Sequence, residues 1–357
     1  AKGSLPFTAN NGSCVSPCDF DNDGDMDLFI GSRSEPPAYG LSADQSLLEY
    51  DGYGIFKDVS DQRMKYLKRL GMVTDACWMD YDQDGDKDLI LVGDWMKVTV
   101  LMNDNGFFTD VTRLAGLEET SGWWNCIHAT DIDMDGDIDL IGGNLGLNSI
   151  LKASVKEPVE IYIRDFDNNG TIDNLICSYQ DGISYPVASL DELISQIAGM
   201  EKKYPNYSDY GGQTAKDIFG GEALNHSIKK SAVLFESCLF LNSGDGTFEI
   251  NKLPVTAQFS PVRGILARDL NKDGNNDLVV IGNDFTAKPT YGRQDASYGW
   301  CLMADNTSYR FSSLMPFESG LKVTGDGRKI LPIKVSGKEY LVVAVNDGEL
   351  QIFELLK

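Results

Sequence analysis

Along the chain, short apolar runs recur directly behind short acidic loops, and this alternation sets the secondary-structure reading. Leu89-Ile-Leu-Val92 and Leu278-Val-Val-Ile281 each end at a glycine, Gly93 or Gly282, a length that suits a buried strand better than a helix. Further strand candidates precede the loops, at residues 73–79 and 124–129. A hairpin with an Asn/Asp/Gly-rich turn follows in three places: residues 47–50 with 55–59, 98–102 with 107–111, and 238–241 with 247–250. Four antiparallel strands per unit, with the acidic loop joining the first to the second, predict an all-β chain folded as a β-propeller.

The units divide the chain at residues 12–60, 72–112, 123 to about 154, 159–253, 261–314 and from 321 onward. This predicts one propeller domain over residues 1–357, with six blades. Between about residues 189 and 231 the pattern turns helical: Leu190, Leu193, Ile194 and Ile197 lie at helical spacing behind the capping box Ser189-Leu-Asp-Glu192. The acidic loops are spaced by 61, 51, 34 and 104 residues, and removing that 43-residue insert brings the last spacing back to 61. The insert is therefore expected within the fourth blade; seven blades follow only if it conceals irregular strands. The last unit ends one strand short, and residues 3–8 are expected to supply that strand and close the ring.

The acidic loops themselves are five copies of one nine-residue pattern. Their oxygen-bearing positions are Asp19, Asp21, Asp23, Asp25 and Asp27; Asp80, Asp82, Asp84, Asp86 and Asp88; Asp131, Asp133, Asp135, Asp137 and Asp139; Asp165, Asp167, Asn169, Thr171 and Asp173; and Asp269, Asn271, Asp273, Asn275 and Asp277. Glycine holds the sixth position each time, at Gly24, Gly85, Gly136, Gly170 and Gly274. Carboxylates this dense repel one another unless a hard cation neutralises them, and all-oxygen ligation suits Ca2+, up to five ions. An EF-hand is excluded, because position 12 is Ile30, Leu91, Gly142, Ile176 or Val280 where that loop requires glutamate. The fourth and fifth loops carry fewer carboxylates and are expected to bind more weakly.

Composition changes this picture little. The net charge is -23, but 21 aspartates sit in the loops, so most of the acidity is ligand and five Ca2+ would return ten positive charges. Hydrophobic residues at 42% provide an ample core, and no apolar stretch is long enough to span a membrane. Seven cysteines, including Cys14 and Cys18, form no Cys-x-x-Cys pair, and the odd count argues against a complete disulfide framework. The chain opens on Ala1, as a processed or trimmed piece of something longer would.

The loops resemble those of FG-GAP or VCBS repeat proteins, which also mark the integrin alpha-chain propeller. A closer resemblance is to secreted or surface proteins related to cartilage acidic protein, which often carry an ASPIC and UnbV-type segment. It rests on Gly71-Met-Val-Thr-Asp75, Gly93-Asp-Trp-Met96, Gly122-Trp-Trp-Asn125, Gly143-Asn-Leu-Gly-Leu-Asn148, Phe259-Ser-Pro261 and Asp295-Ala-Ser-Tyr-Gly299. The chain shows no ASPIC and UnbV-type tail. The resemblance implies an exported, calcium-loaded binding or adhesion module, extracellular or cell-surface, or periplasmic or outer-membrane-associated in a bacterium.

Candidate chemistry is sparse. The only histidines are His128 and His226, and aspartates beside Ca2+ are held ionised, unlike a general acid. Aromatic and polar neighbours offer a ligand patch instead: Trp123, Trp124 and Asn125, with Asn144 and Asn148, and the connection carrying Tyr291, Arg293, Asp295, Tyr298 and Trp300. No basic patch with interleaved aromatics points to nucleic acid. The reading is a non-catalytic binder of protein or glycan. Its rival is a calcium-dependent carbohydrate-active enzyme, a polysaccharide lyase or glycosidase, using Arg293, Tyr298 or His128 in a funnel.

Overall fold

The computed structural model of the protein describes residues 4–6, 10–288, 292–305 and 310–355. Its strands form six antiparallel sheets. The first joins Asn11–Cys18, Asp27–Ser34, Ser46–Tyr50 and Phe56–Asp58 in chain order; the second joins Met72–Met79, Asp88–Met96, Thr99–Asp104 and Phe107–Asp110, with Gly122–Trp123 paired onto Asp88–Met96. Val262–Arg268, Asp277–Gly282, Trp300–Ala304 and Phe311–Leu314 make another four-stranded sheet, and Asp326–Val335, Lys338–Asn346 and Gln351–Glu354 make the last.

The apolar runs are continuous because both faces of these second strands are buried. Leu89 and Leu91 point into a core shared with Phe29 and Leu47 of the first sheet, while Ile90 and Val92 point the other way, toward Leu140 and Phe240. Leu278 and Val280 pack on Ile141 and Leu239, and Val279 and Ile281 on Ile330, Leu341 and Val343. Each such side chain contributes roughly 1.5–3 kcal/mol through burial.

The third sheet departs from the expected order. Cys126–Thr130 and Asp139–Gly143 are completed by Cys238–Asn242 and Phe248–Lys252, with Leu140 opposite Phe240 and Ile141 opposite Leu239. The hairpin at residues 238–250 thus belongs to the third unit and not to the fourth. Residues 159–232 form a complete sheet of their own, ordered Ile183–Pro186, Asp173–Gln180, Val159–Arg164, Ile228–Ala232, inserted between the second and third strands of the third sheet. Equal spacing along the chain did not reveal this, because an inserted sheet carrying its own acidic loop has the length of an ordinary unit. The helical excursion lies inside the insertion, as Leu190–Gln196, Met200–Lys203, Tyr207–Tyr210 and Ala215–Asn225, with the Ser189 capping box formed.

Five sheets, not six, therefore present their first strands to one interior. Asn11–Cys18 packs on Met72–Met79, that strand on Cys126–Thr130, then Val262–Arg268, then Asp326–Val335. The inserted sheet lies outside this series, burying Val159, Ile161 and Ile163 against Met72, Trp95 and Leu145. Gly40 allows its close approach: at a φ of 104° it meets Ile163, whose Cδ1 would lie 2.6 Å from any added Cβ.

Of the strand expected at residues 3–8, residues 4–6 are described and form a bend; Gly3, Phe7 and Thr8 lie outside the described residues. The Ser4 carbonyl accepts the Phe56 N–H at 2.9 Å, at the edge of the first sheet, and among the described residues the last sheet has three strands. Cys14 and Cys18 are free. They lie four residues apart on one strand, about 13 Å at about 3.3 Å per residue, beyond disulfide reach.

Asn144 holds the insertion at its root. It is fully buried; its amide donates to the Leu234 and Glu236 carbonyls at 3.0 and 3.3 Å, and its side-chain oxygen accepts from the N–H groups of Trp123 and Leu145 at 3.1 and 2.8 Å. Replacing it strands several buried polar groups at once. Asn144→Ala should lower unfolding free energy by on the order of 3 kcal/mol in chemical denaturation, whereas Asn148→Ala, which removes one exposed bond to the Phe259 carbonyl, should cost under about 1 kcal/mol.

Candidate metal loops and axial mouth

All five acidic loops fold alike, including the two depleted ones. The fourth position is left-handed in each (Asn22, Gln83, Met134, Asn168, Lys272, φ 58° to 64°), and the glycine at the sixth has φ between 89° and 102°. That glycine donates its N–H to the first aspartate: Gly24 to Asp19 at 3.0 Å, Gly85 to Asp80 at 3.2 Å, Gly136 to Asp131 at 3.1 Å, Gly170 to Asp165 at 2.8 Å and Gly274 to Asp269 at 3.0 Å. Backbone N–H groups at the seventh position bond the side chain at the fifth, as Asp25 to Asp23 and Thr171 to Asn169. The turn is thus set by side-chain acceptors, with the carboxylates turned toward one centre.

In four loops an oxygen of the first, third and ninth aspartates falls within a common 4.8 Å: Asp19, Asp21 and Asp27; Asp80, Asp82 and Asp88; Asp131, Asp133 and Asp139; Asp165, Asp167 and Asp173. Asn271 takes the third position in the fifth loop. Buried Oδ1 atoms of Asp21, Asp80 and Asp131 have no hydrogen-bond partner. A carboxylate oxygen removed from water and left unpaired fits a cation ligand, so the donor set suits a hard divalent ion such as Ca2+. Burial, with neighbouring aspartates, pushes the Asp21 and Asp82 carboxyls up; burial also raises Asp27 and Asp88 to about 6 and Asp139 to about 7. In the fourth loop Asp167 already accepts the Ala198 N–H at 2.7 Å from the helical insertion, which holds its carboxyl below the usual range.

Neighbouring loops also touch. Asn22 donates to Asp86 at 2.8 Å, Gln83 donates to Asp137, and Asn276 donates to the Asp131 carbonyl at 3.0 Å. In the first two contacts the fourth residue of one loop reaches the seventh of the next, and the third contact adds the fifth loop, joining four loops into one rim.

The aromatic candidates do not assemble as one patch. Trp124 is fully buried, donating its indole N–H to the Thr120 carbonyl at 2.9 Å and packing on Phe240. Trp123 wedges between Trp95 and Phe235, at centroid distances of 5.0 and 5.4 Å. Arg293 pairs with Asp295 at 3.1 Å and lies 3.6 Å over the Phe285 ring; Tyr298 is half exposed beneath Lys322. Tyr291 lies outside the described residues. His128 lines a separate cavity of about 310 Å³ among the first strands, with Asp75 and Lys329, and His226 is exposed at a helix end.

Asn125, which directly precedes Cys126–Thr130, alone of these candidates reaches a cavity that it shares with the first strands of the other four sheets. At the end opposite the acidic loops, a mouth of about 430 Å³ is lined by Ser13, Thr74, Asn125, Arg263 and Arg328, with Arg33 and Tyr39 above them. Ser13, Thr74, Arg263 and Arg328 each sit at a register break, where one residue bulges from its pairing with the second strand. A bulge re-aims its side chain, and here four bulges turn theirs to the axis. The arginines are anchored: Arg33 on Asp94 through Nε and Nη2 at 2.7 and 2.6 Å, Arg263 on Asp284 at 2.8 Å and on the Asn283 carbonyl at 3.1 Å, and Arg328 on Asp326. Burial and the nearby Arg328 make the Arg263 guanidinium less basic than usual.

The repeat itself marks this position. Ser13, Thr74, Asn125 and Arg263 each stand six residues ahead of the first aspartate of their loop. Superposing the copies on their loops would have found four mouth residues; Arg328, in a unit without a loop, and Arg33, on a second strand, leave no such mark.

The family described as FG-GAP-like repeat matches residues 80–142, spanning the second loop through the third. A search of the curated proteins finds no match. Among solved structures, the chain is similar to an Agrocybe aegerita lectin that recognises non-reducing terminal N-acetylglucosamine (14% identity, 97% of this chain and 81% of that one, TM-score 0.33). It is also similar to the V. cholerae biofilm matrix protein Bap1 (9% identity, 97% and 77% covered, TM-score 0.30). Overlaps this loose carry no inference about what this chain binds.

The raised carboxyls fix the sign of a pH effect. Without metal, Asp139 binds its proton more tightly folded than unfolded, so its contribution is fully present below the ordinary value of 3.8 and is lost as pH rises to about 7. Asp27 and Asp88 act likewise up to about 6. Chelated protein should therefore melt at a higher temperature at pH 5 than at pH 7.5, and Ca2+ should raise the pH 7.5 melt most; equal calcium shifts at both pH values would contradict the assignment.

Proposed function

We propose that this chain is a calcium-loaded β-propeller of five blades, with the FG-GAP-like repeat extending over all five loops, and that it binds a glycan or protein at its axial mouth without transforming it. The carrying observation is the set of four bulges that turn Ser13, Thr74, Arg263 and Arg328 into one cavity. Bulging costs ladder pairing, and spending it repeatedly at one axial level makes sense for a ligand site. Carboxylates that lock the guanidinium groups add preorganisation, which lowers the entropy cost of binding. The aligned loops at the far end act as the support, holding first and second strands in register when loaded.

An exported or cell-surface setting follows from the metal. Loops with fewer carboxylates, such as the fourth and fifth, fill at the roughly 10⁻⁴–10⁻³ M Ca2+ affinities of extracellular modules and would stay vacant in a cytosol. No described helix is long and apolar enough to cross a membrane.

The lyase reading meets a specific obstacle. Arg33 and Tyr39 do share the mouth, but the Tyr39 hydroxyl donates to Asp94 at 3.4 Å, and burial beside that carboxylate raises its pKa, opposite to what a base requires. An array of glycans and candidate protein ligands, probed with Ca2+ and with chelator, tests the proposal together with a polysaccharide-cleavage assay. Calcium-dependent capture without cleavage is expected; product formation from any polysaccharide would replace binder by enzyme.

A further inference from the structure

We propose that the mouth takes the carboxylate of an acidic sugar, a uronate-type residue. This rests on the binding-module reading and names its ligand class. Three guanidinium groups converge there, and the carboxylates that fix two of them face inward: side-chain exposures are 51% for Arg33 against 6% for Asp94, and 34% for Arg328 against 1% for Asp326, while Arg263 and Asp284 are alike at 20% and 19%. The surface offered to a ligand is therefore cationic, although the protein as a whole carries -23. Each arginine is held through part of its fork, with Nη1 of Arg33, Arg263 and Arg328 in no hydrogen bond among the described residues. A planar carboxylate matches such donors in charge and geometry.

The rest of the lining selects the kind of acid. Hydroxyl, amide and guanidinium groups surround the cavity, and among the described residues no aliphatic side chain lines it. An apolar acid would lose water there without gaining contact, while a polyhydroxylated ring finds partners on all sides. The Asn125 side-chain amide lines the cavity without a hydrogen-bond partner among the described residues, which leaves it to a ring hydroxyl. Asp75 and Lys329, next in sequence to Thr74 and Arg328, line the separate cavity that holds His128, whose other walls are largely apolar. An acidic peptide shares the charge but presents no ring of hydroxyls to the hydroxyl and amide groups of this lining.

Calorimetry on the calcium-loaded chain tests this with oligoglucuronate, oligogalacturonate, a neutral glucose oligosaccharide and an Asp/Glu-rich peptide. A uronate should bind at least about tenfold tighter than the neutral sugar and the peptide, and more weakly as salt rises. The pair Arg33→Gln with Arg328→Gln should reduce that affinity by about tenfold or more. Asn125→Asp, at a partly exposed side chain that the fold does not use, should do the same by repulsion with an unchanged melt, and it carries the test should the double variant unfold. Equal binding of neutral and acidic sugars, tighter binding of the peptide, or unaltered uronate binding by Asn125→Asp overturns the inference. Capture of some other glycan or protein, weakened by the mouth variants, overturns the uronate assignment and leaves the binding-module reading standing; no calcium-dependent capture of any class, or capture that the mouth variants leave unaltered, removes that reading too.

Discussion

The structure depends on one buried carboxylate per repeat. The ninth loop residue, Asp27, Asp88, Asp139 or Asp277, is fully buried, and its two oxygens face different strands. One accepts the N–H of the second loop residue (Phe20, Tyr81, Ile132, Leu270), and the other accepts an N–H at the end of the third strand (Tyr50, Asn103, Asn242, Ala304), all at 2.7–3.4 Å. The aspartate closes the loop onto its own sheet and shares its oxygens with the prospective cation site. Charge-assisted bonds in a dry setting hold geometry tightly, but only while the carboxylate stays ionised. A cation centred on the loop would keep it so. Metal and hydrogen bonds would then be two halves of one constraint, and the fourth loop, where a third-strand partner of this kind is not formed by Asp173, belongs to the sheet outside the series of five.

That division gives the two ends of each first strand separate tasks. At the loop end, register is exact and continuous, as in Cys18 opposite Asp27 and Arg268 opposite Asp277. At the mouth end, register breaks by one residue and a side chain swings inward. A bulge is tolerable where the strand is locked at its other end, because the remaining ladder cannot slip to absorb the extra residue. The mouth residues then vary freely among Ser, Thr, Asn and Arg, while the backbone that presents them does not change. The third sheet reaches the same result without a bulge, since Asn125 precedes its strand and is tied by its own N–H to the Gly143 carbonyl at 2.7 Å.

What was legible in the sequence is what local chemistry decides. Loop geometry, strand runs buried on both faces, hairpins and the Ser189 capping box all follow from spacings of a few residues. A second box, Thr214-Ala-Lys-Asp217, opens the helical segment Ala215–Asn225, which kinks at Gly220, and was equally readable. The order of sheets was not, because the partner of Asp139–Gly143 lies across an insertion that is itself a well-formed sheet, and apolar patterning does not say which of two hairpins a strand will accept. The choice is made by nonlocal contacts, Phe240 on Gly142 and Trp124, and the Asn144 clasp. Trp124 misled for the same reason: a tryptophan beside polar residues looks like a ligand platform until its indole is found bonded in the core.

The separation of charge follows from this arrangement. Aspartates gather at one end, where the loops lie, and three arginines at the other, about 20 Å away along the six residues that separate a mouth residue from its loop. Beyond about 8 Å at physiological ionic strength, exposed charges are largely screened, so the loops do not cancel the mouth in solution, and the mouth keeps a local field opposite in sign to the net charge. Loading the loops would then act on the mouth mainly through mechanics: neutralised loops hold the first and second strands in register, and register sets where the bulges fall. An anion arriving from the loop side meets repulsion and one arriving axially meets guanidinium, so approach is filtered by direction before any contact forms. A second constraint operates at contact, because each arginine remains bonded to its aspartate and a ligand must fit the N–H groups left over rather than capture the whole side chain. Geometry fixed in this way favours a small planar anion over a diffuse polyanion, which would gain from charge alone and could find it as well on any basic surface.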